Sequence, residues 1–510
     1  MGKRTIFFVN IMTIVSIIFI FVGITSSLYA ALVMKHGTPL DYIFTSWFWI
    51  ANVFFGIQSV TYFLSFRNST DKYKSTIEYG YTVGIRGRVA VLVPIYNEEP
   101  EMVKTNLIAI SSNVGEDADV YVLDDSTGDT EYIKELAQRL GMKYVHREDR
   151  SGYKAGALNN VLKNLKETYA CVLDIDQMPA PDFVRETTAL LDKNPKVGFV
   201  QVPQVYSNSD SSTLAEIAQA QQFIFYEILT EGKSVTGTLF SCGTNVVYRM
   251  DALRSVGYFD ESNIVEDIAT TVNMVVNGWT GMYFNKKLVF GRAPVTMQGY
   301  VNQQWRWMAG SLRLMPKIVK KILFSNKFPA RQKADWLATT TWYLFGWFYL
   351  IFLLSPILDL VGIRVLTINN LLYLFAWLPY TLLVLTTFIL SHLEKGAPLR
   401  FAFYNMCANV LIFPLSISAT ISTLLKKRKP FTTARTGGKL PWSHFWAQLT
   451  IMVFLFIASV YLVLQNNLYT YISAFWGFFE ITLLLPLFWL NKAPRESSMD
   501  APAFQNSGNS

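Results

Sequence analysis

Hydrophobic residues along this chain are gathered into blocks of membrane-spanning length. A transmembrane helix needs about 20 consecutive, mostly apolar residues. Six stretches meet this requirement: residues 6–33, 42–66, 336–361, 371–393, 445–464 and 472–490. The first is too long for the apolar run of a secretory signal, which covers about 7–15 residues. The pattern therefore predicts six membrane-spanning helices.

A seventh apolar stretch, residues 400–425, is expected to stay on one side of the membrane. Lys395 and Arg400 lie at its start, basic residues follow at 426–429, and Pro414 lies near its middle. Basic loops stay on the cytoplasmic side, so its two ends cannot lie on opposite sides. We expect an interfacial or re-entrant helix here.

The same rule predicts the orientation of the chain. Basic residues at the N-terminus (Lys3, Arg4), after the second span (Arg67) and before the third (Arg331) place residues 67–335 in the cytoplasm. With six crossings, both termini are cytoplasmic. We therefore expect a multi-pass protein of the plasma membrane.

Between the second and third spans the pattern changes to short β-rich runs that alternate with helical segments. This rhythm predicts an α/β domain with an open, Rossmann-like, mostly parallel sheet. Ligands bind such sheets at the carboxyl ends of the strands. Polar residues follow three of the predicted strands at these ends: Tyr96, Asn97 and Glu98, then Asp124 and Asp125, then Asp174 and Asp176.

Composition narrows the class of protein further. Of 510 residues, 51% are hydrophobic and 16% charged, against about 25% charged in soluble domains, which excludes a disordered or collagen-like chain. The three cysteines show no spacing for disulfides or zinc. The turn at residues 94–100 contains no glycine, which argues against dinucleotide binding. Basic loops account for the net charge of +8, so no nucleic-acid partner is expected.

Asp174 and Asp176 are candidate metal ligands. Carboxylates at i and i+2 after a strand project to the same side and suit a hard cation, Mg²⁺ or Mn²⁺, that also bridges a diphosphate. Lys154 opens a predicted helix, where its ammonium group and free backbone N–H groups could meet phosphate. An ordinary helix start remains the alternative for Lys154.

Two further motifs carry candidate chemistry. Glu266 and Asp267 head a predicted helix, where they either complement its dipole or serve a reaction. Gln303, Arg306 and Trp307 precede a basic amphipathic run at 312–323. The tryptophan and arginine side chains form either an interfacial belt or a sugar-stacking platform beside a phosphate-binding guanidinium.

Taken in order, these motifs resemble those of the membrane-embedded, processive family-2 glycosyltransferases, which include bacterial cellulose synthase catalytic subunits and hyaluronan, chitin and mannan synthases. The resemblance covers residues 1–490. It implies a GT-A domain that binds a nucleotide sugar with Mg²⁺ or Mn²⁺ and inverts the configuration at the sugar C1. It also implies an α-helical membrane domain of about six helices with interfacial amphipathic helices.

The resemblance assigns roles to the candidate residues. It implies that the nucleoside is held by Tyr96, Glu98, Asp124 and Asp125. It implies that the diphosphate is met by Lys154, Gln303 and Arg306, beside the metal on Asp174 and Asp176. It also implies that Asp267, next to Glu266, takes the acceptor proton and that Trp307 and Cys242 lie at the acceptor sugar.

A gating loop of the pattern Phe-x-Val-Thr-x-Lys is implied at residues 426–441. Phe431 is present, but Thr433 replaces the valine and Arg435 supplies a cation one place early, which weakens a cellulose assignment more than a gating role. In the last span, Glu480 would be costly unless it faces a wet interior. Glu480 either lines a glycan channel or pairs with another buried polar group.

These features divide the chain into eight expected parts. They are two membrane helices (1–66), the cytoplasmic domain (85–298), interfacial helices with the Gln-x-x-Arg-Trp motif (299–330), a membrane hairpin (336–393), the interfacial or re-entrant helix (400–425), the gating-type loop (426–441), a second membrane hairpin (445–490) and a disordered tail (491–510).

The expected function is processive, inverting synthesis of a β-linked polysaccharide, a cellulose-like glucan first, from UDP-glucose, with export of the chain across the membrane. Alternatives are a mannan, hyaluronan or chitin-type synthase that uses another nucleotide sugar, and non-processive transfer to a lipid carrier. A transporter with a soluble regulatory domain is the alternative from another functional class of protein. The sequence leaves open whether a partner subunit receives the polymer.

Overall fold

The computed structural model describes residues 3–32, 37–69, 87–262, 265–363, 370–427 and 438–492. The strands in these residues all lie between the second and third long apolar blocks. They are β1 (Val89–Ile95), β2 (Ala118–Asp124), β3 (Lys143–His146), β4 (Tyr169–Val172), β5 (Met178–Pro179), β6 (Val197–Gln201), β7 (Val205–Tyr206), β8 (Val246–Arg249), β9 (Thr280–Tyr283) and β10 (Val289–Gly291).

Helices precede, surround and follow these strands. They are α1 (Lys3–Leu32), α2 (Pro39–Asn68), α3 (Pro100–Asn113), α4 (Glu131–Arg139), α5 (Tyr153–Leu162), α6 (Phe183–Lys193), α7 (Thr213–Phe223), α8 (Glu231–Thr236), α9 (Met250–Ser255), α10 (Glu266–Val276), α11 (Met297–Phe324), α12 (Ala330–Thr341), α13 (Phe345–Leu360), α14 (Asn370–Glu394), α15 (Leu399–Leu424), α16 (Trp446–Leu464), α17 (Leu468–Leu484) and α18 (Leu487–Leu490). A π-helical turn, Ile224–Thr230, joins α7 to α8.

Seven strands form one sheet in the order β3-β2-β1-β4-β8-β6-β9. Strand β1 is parallel to β2 and β4, and β2 is parallel to β3, whereas β8 is antiparallel to both of its neighbours. Six of the seven residues of β1 are buried, as expected where helices cover both faces of a parallel sheet. The prediction of a mostly parallel sheet is confirmed.

Each face of the sheet carries its own hydrophobic core, because alternate strand residues point to opposite sides. Val89, Val91 and Val93 pack into one core with α3 and α6 residues, while Ala90 and Leu92 pack into the other with α5 residues. The two cores fix the sheet between helical layers. The carboxyl ends of β1, β2 and β4 are therefore held at one edge.

A second, three-stranded sheet has the order β5-β10-β7. Strand β5 follows Asp176 and Gln177 directly, and β10 pairs with β5 on one side and with β7 on the other. These strands have two or three residues each, too few to give a periodic pattern, and the sequence did not predict them. The small sheet extends from the segment that follows β4.

Six helical segments of the described residues are long and apolar enough to cross a membrane, by length and composition. Five of them overlap predicted spans, and the sixth, Leu399–Leu424, is the stretch for which an interfacial or re-entrant helix was predicted. Helix α14 occupies the remaining predicted span, 371–393, which stays a prediction. The six are Thr5–Ser26, Pro39–Asn68, Ala330–Leu360, Leu399–Leu424, Trp442–Leu464 and Thr470–Leu490.

Helix α15 is the segment expected to stay on one side of the membrane, and both of its ends contact the α/β domain. Arg400 at its start pairs with Glu216 of α7. Beyond its end, the carbonyl of Lys427 accepts a hydrogen bond from Arg313 of α11 at 2.6 Å. These contacts favour the interfacial placement, although the helix is also long and apolar enough to cross. That placement stays a prediction.

The α/β domain is fastened to the membrane helices at α8. The Lys395 ammonium, just after α14, donates to Glu231 at 2.6 Å and to the backbone of Ser69 after α2. Lys233 donates to Asp335 of α12 at 2.6 Å. Both pairs are largely buried. Three membrane-side helices therefore converge on a helix of six residues.

Gly232 is the residue that allows α2 to approach α8. A Cβ built there would overlap the backbone of Ser65. Gly232→Ala should therefore lower the free energy of unfolding by about 1–3 kcal/mol, the usual cost of overpacking. Thermal unfolding in detergent measures the loss. Gly438→Ala is the control, since no atom lies within 4 Å of a Cβ at that position; equal midpoints for the two variants would contradict the tight contact.

Candidate active site

The candidate residues after β1 and β2 lie at the carboxyl edge of the large sheet. Ile95 and Asp124 are in register as the last pair of these strands. Next to them is a cavity of about 380 Å³ whose lining includes Asn97, Glu98 and Ser126. Tyr96 is partly exposed at the same edge. The edge therefore offers open space beside Glu98, at the end of the sheet where ligands commonly bind.

Asp124 is fully buried, and its carboxylate holds its own loop. One oxygen accepts from the backbone N–H of Ser126 at 2.9 Å, and the other accepts from the Tyr144 hydroxyl at 3.0 Å. The Ser126 hydroxyl in turn accepts from the backbone N–H of Asn97 at 2.9 Å. Asp124 therefore ties the loops after β1 and β2 together.

Asp125 is bound by an arginine that the sequence did not single out. Arg147 donates through Nε to one oxygen at 2.9 Å and through Nη2 to the other, a bidentate geometry that is stronger than a single ion pair. Arg147 also donates to the carbonyls of Ser151 and Tyr153, both at 3.1 Å. It thus connects Asp125 to the loop that delivers Lys154. No sequence motif marks Arg147.

Lys154 lies at the centre of the acidic residues. Its ammonium group donates to Asp174 Oδ1 at 2.5 Å and to the carbonyl of Gly243 at 2.8 Å. Burial alone would lower the pKa of Lys154, but the charges of Asp174, Glu266 and Asp267 outweigh burial and raise it. The lysine is therefore a fixed positive charge that is surrounded by carboxylates from two distant segments, and its predicted contact with phosphate stays a prediction.

Glu266 and Asp267 form the first turn of α10. Burial raises the pKa of Glu266 to about 8 against the opposing charge of Lys154. Burial likewise raises the pKa of Asp267 to about 6, although the Ile268 N–H bonded to it and Lys154 act in the opposite direction. A Cβ at Gly243 would lie 3.2 Å from Asp267 Oδ2. Asp267 therefore faces a backbone without a side chain.

The two predicted metal ligands fit a cation that takes further ligands from a bound molecule. The Asp174 side chain is 40% exposed and already contacts the Lys154 ammonium, so it faces positive charge in the cleft. Gln177 donates to Asp176 Oδ1 at 2.9 Å. Among the described residues, no group of three or more acidic, histidine or cysteine side chains could hold a metal ion. Two carboxylates suit Mg²⁺ or Mn²⁺ shared with phosphate oxygens.

Gln303, Arg306 and Trp307 lie inside α11, and the amphipathic run follows in the same helix. Gln303 is buried, whereas Arg306 and Trp307 are half-buried. The Gln303 amide donates to the hydroxyl of Tyr206 at 3.5 Å. Burial raises the pKa of Tyr206 to about 12, with Asp176 and Arg306 contributing in opposite directions. Tyr206 is a second residue that the sequence did not single out.

Cys242 lies beside Asp267. Its backbone N–H donates to Gln201 Oε1 at 2.8 Å, and burial, together with the charge of Asp267, raises the pKa of its thiol well above the usual range. The thiol therefore stays protonated. Its predicted contact with the acceptor stays a prediction.

Two sets of predicted residues remain, Glu480 and the predicted gating loop. Glu480 of α17 is buried and accepts a hydrogen bond from the Tyr349 hydroxyl of α13, which is the pairing given as the alternative to a channel role. Phe431, Thr433 and Arg435 of the predicted gating loop lie outside the described residues. So does the predicted tail from residue 493 onward.

The family model of "Glycosyl transferase family group 2" matches residues 170–390. The match begins at β4 and includes Asp174, Lys233, Glu266 and α11. This part of the chain is similar to a family group 2 glycosyltransferase domain. The matched residues extend into α14, so the family region includes part of the membrane helices.

Curated relatives agree with this assignment. Cellulose synthase 2 of Novacetimonas hansenii is 26% identical over 365 residues, 70% of this chain and 22% of the relative. A probable glucomannan 4-beta-mannosyltransferase 3 of Oryza sativa subsp. japonica is 32% identical over 264 residues, 48% of this chain and 47% of the relative. The chain thus spans less than half the length of either protein.

A solved structure supports the fold. The mannosyltransferase PcManGT from Pyrobaculum calidifontis, in complex with GDP-Man and Mn²⁺, has a TM-score of 0.50 and 18% identity, and the match covers 74% of this chain and 100% of that chain. At this identity the likeness concerns the fold alone. The predicted fold class, a GT-A α/β domain with about six membrane-capable helices, is confirmed.

The Arg147 contacts make a testable claim about the loop before α5. Lysine cannot reproduce a bidentate guanidinium–carboxylate contact, so Arg147→Lys should release this loop from Asp125. Hydrogen exchange at residues 148–156 should accelerate about tenfold or more in this variant.

Arg88→Lys is the matched control for that measurement. Arg88 also donates through two nitrogens to one aspartate, Asp119, both at 2.8 Å, but at an exposed position, where an ion pair contributes about 0–1 kcal/mol. If residues 148–156 exchange at the same rate in both variants, Arg147 does not hold the loop.

Proposed function

We propose that this protein is a processive, inverting glycosyltransferase that extends a β-linked polysaccharide from a nucleotide sugar and passes it across the plasma membrane. One observation carries the proposal: Lys154 contacts Asp174 within a cluster that includes Glu266 and Asp267, in a domain fastened directly to apolar helices. That cluster brings a charge partner for a diphosphate next to a candidate base.

The donor nucleotide binds at the carboxyl edge of the sheet. Glu98 borders the open cavity there, and Glu98 and the exposed Tyr96 contact the nucleoside, with Asp125 and the buried Asp124 behind them. Arg147 holds Asp125 in place. The nucleoside is thus bound at one end of the site and the diphosphate at the other.

The diphosphate lies between Lys154 and Arg306. Asp174 and Asp176 would hold Mg²⁺ or Mn²⁺, which would supply positive charge for the diphosphate leaving group. Lys154 leaves its contact with Asp174 in part and donates to the diphosphate oxygens, because a phosphate carries more charge than one carboxylate. Arg306 supplies a planar guanidinium for the same oxygens, with Gln303 one turn before it.

The reaction is a single displacement at C1 of the donor sugar. The acceptor hydroxyl oxygen forms a bond to C1 as the bond from C1 to the diphosphate oxygen breaks, and the configuration inverts. The proton of the hydroxyl passes to Asp267, and the electron pair of the broken bond leaves with the nucleoside diphosphate. Glu266, with its higher pKa, stays protonated next to Asp267.

The acceptor end of the polymer lies between Trp307 and Cys242. Trp307 stacks on the terminal sugar, and the glycine at 243 leaves room beside Asp267. The polymer then enters the membrane helices, where Glu480 borders the path and the loop with Phe431, Thr433 and Arg435 gates donor entry. The α/β domain and both termini are cytoplasmic, because the basic loops flank that side.

Two nucleotide sugars are candidate donors. UDP-glucose and a cellulose-like glucan are the first choice, supported by the cellulose synthases that match 70% of the chain. GDP-mannose and a β-mannan are the second, supported by the higher identity to glucomannan mannosyltransferases over a shorter region. The two donors would undergo the same reaction. They differ in the nucleobase and in the orientation of one sugar hydroxyl.

A donor panel tests this proposal. Membrane vesicles that contain the protein are given UDP-glucose, UDP-N-acetylglucosamine or GDP-mannose with Mn²⁺, and nucleoside diphosphate release and product mass are measured. We expect release with UDP-glucose and an insoluble β-linked product. Labelled lipid without long product would favour single transfer, and the absence of release with every donor would remove the glycosyltransferase proposal.

The pKa of Asp267 gives the proposed base a pH signature. Since Asp267 must be ionised to accept a proton, kcat/KM should rise tenfold per pH unit below about pH 6 and level off above it. Asp267→Asn should lower kcat by about 10²- to 10⁴-fold and leave donor binding intact.

Asp119→Asn is the control for this pH profile, since Asp119 lies on β2 and pairs with the exposed Arg88. It should keep the rate and the pH profile of the original protein. An unchanged profile in Asp267→Asn would assign the base role to another group.

A further inference from the structure

Tyr206 lies where three parts of the domain meet. Its side chain is 3% exposed, and its hydroxyl accepts hydrogen bonds from Gln222 of α7 at 3.0 Å and from Gln303 of α11 at 3.5 Å. Asp176 and Arg306 both act on it electrostatically. A buried hydroxyl with two amide donors is an organised contact.

The small sheet places Tyr206 at a fixed distance from the Asp176 loop. Strand β5 begins two residues after Asp176, and β10 pairs with β5 on one side and, through Gly291, with Tyr206 on the other. Gln177 packs so closely on β10 that a Cβ at Gly291 would lie 2.7 Å from its amide. Asp176 and Tyr206 are therefore carried by one rigid frame.

Two adjacent glutamines of α7 fix the start of α11. Gln221 accepts from the Tyr300 hydroxyl at 2.9 Å and from Gln304 at 3.2 Å, while Gln222 donates to Tyr206. Arg306 lies three residues after Gln303, on the same face of α11. The orientation of α11, and with it the position of Arg306, thus depends on these contacts, which include the hydrogen bond between Tyr206 and Gln303.

We propose that Tyr206 is a positioning residue that sets the diphosphate-contacting residues Arg306 and Gln303 against the proposed metal ligands Asp174 and Asp176. This inference rests on the proposed function, since it assigns Tyr206 to the alignment of two halves of the same site. The hydroxyl of Tyr206 is the bridge between the small sheet and α11.

The role of the hydroxyl can be separated from that of the ring. The ring packs against a small apolar cluster that includes Ala215, Ala218 and Ala293, and phenylalanine preserves that packing. Tyr206→Phe removes only the acceptor for Gln222 and Gln303. Without this acceptor, α11 loses one of its contacts. Arg306 then stabilises the diphosphate less than in the original protein, and the loss is larger in the transition state than in the resting complex.

Kinetics of Tyr206→Phe test the inference. We expect kcat to fall about 10- to 100-fold while KM for the nucleotide sugar changes less than about threefold, because an interaction made mainly in the transition state affects kcat. Tyr169→Phe is the matched control: Tyr169 is equally buried and its hydroxyl bonds Asp192, away from the site. It should keep kcat. Similar kcat values for the two variants would overturn the proposal.

A double variant shows whether Tyr206 acts through α11. On a Gln303→Ala background, Tyr206→Phe should cost less than about twofold in kcat, since effects along one contact are not additive. A full additional loss would mean that Tyr206 acts independently of Gln303, and the proposal would then be wrong.

Hydrogen exchange separates failure of this inference from failure of the proposed function. UDP or GDP with Mn²⁺ should slow exchange at residues 303–310 in the original protein and in Tyr169→Phe, but not in Tyr206→Phe. Equal slowing in all three would overturn the positioning role, whatever the donor panel gives. A protein that transfers no sugar but shows the expected difference would retain the positioning role and lose the proposed reaction.

Discussion

The contact between Lys154 and the carboxylates around it is the interaction on which the rest of the site depends. Asp174 follows β4, while Glu266 and Asp267 begin α10, so the three acids come from distant segments and would repel one another in a partly buried cleft. One ammonium group offsets that repulsion. Its position depends on a tight loop, since a Cβ at Gly156 would meet Arg147 at 2.7 Å.

The helical stretch from Thr213 to Thr236 connects this site to the membrane side. Its first part, α7, bonds the start of α11, and its last part, α8, bonds the membrane helices. Between them the π-helical turn brings Glu227 within 2.6 Å of Asn285. Such turns occur often at functional sites. One continuous helical stretch therefore contacts both the start of α11 and the membrane-side helices.

Sequence reasoning located β1, β2 and β4 and the polar residues after them, because continuous apolar runs bounded by polar turns identify buried strands without tertiary information. It did not find the small sheet, whose strands are too short for periodicity, nor Arg147 and Tyr206, whose partners lie 22 and 97 residues away. It placed Gln303 within interfacial helices from residue 299 onward, and the helix that contains Gln303 begins at Met297. Contacts between distant segments leave no local pattern to read.

The ion pairs beneath the α/β domain have a consequence for its behaviour in salt. Exposed charges are screened within about 8–10 Å at physiological ionic strength, but buried pairs are screened much less. The Lys395–Glu231 and Lys233–Asp335 ion pairs are largely out of water. The attachment of the domain to its helices through these pairs therefore depends little on the salt concentration. The domain is therefore expected to keep its position on the membrane-side helices when the salt concentration changes.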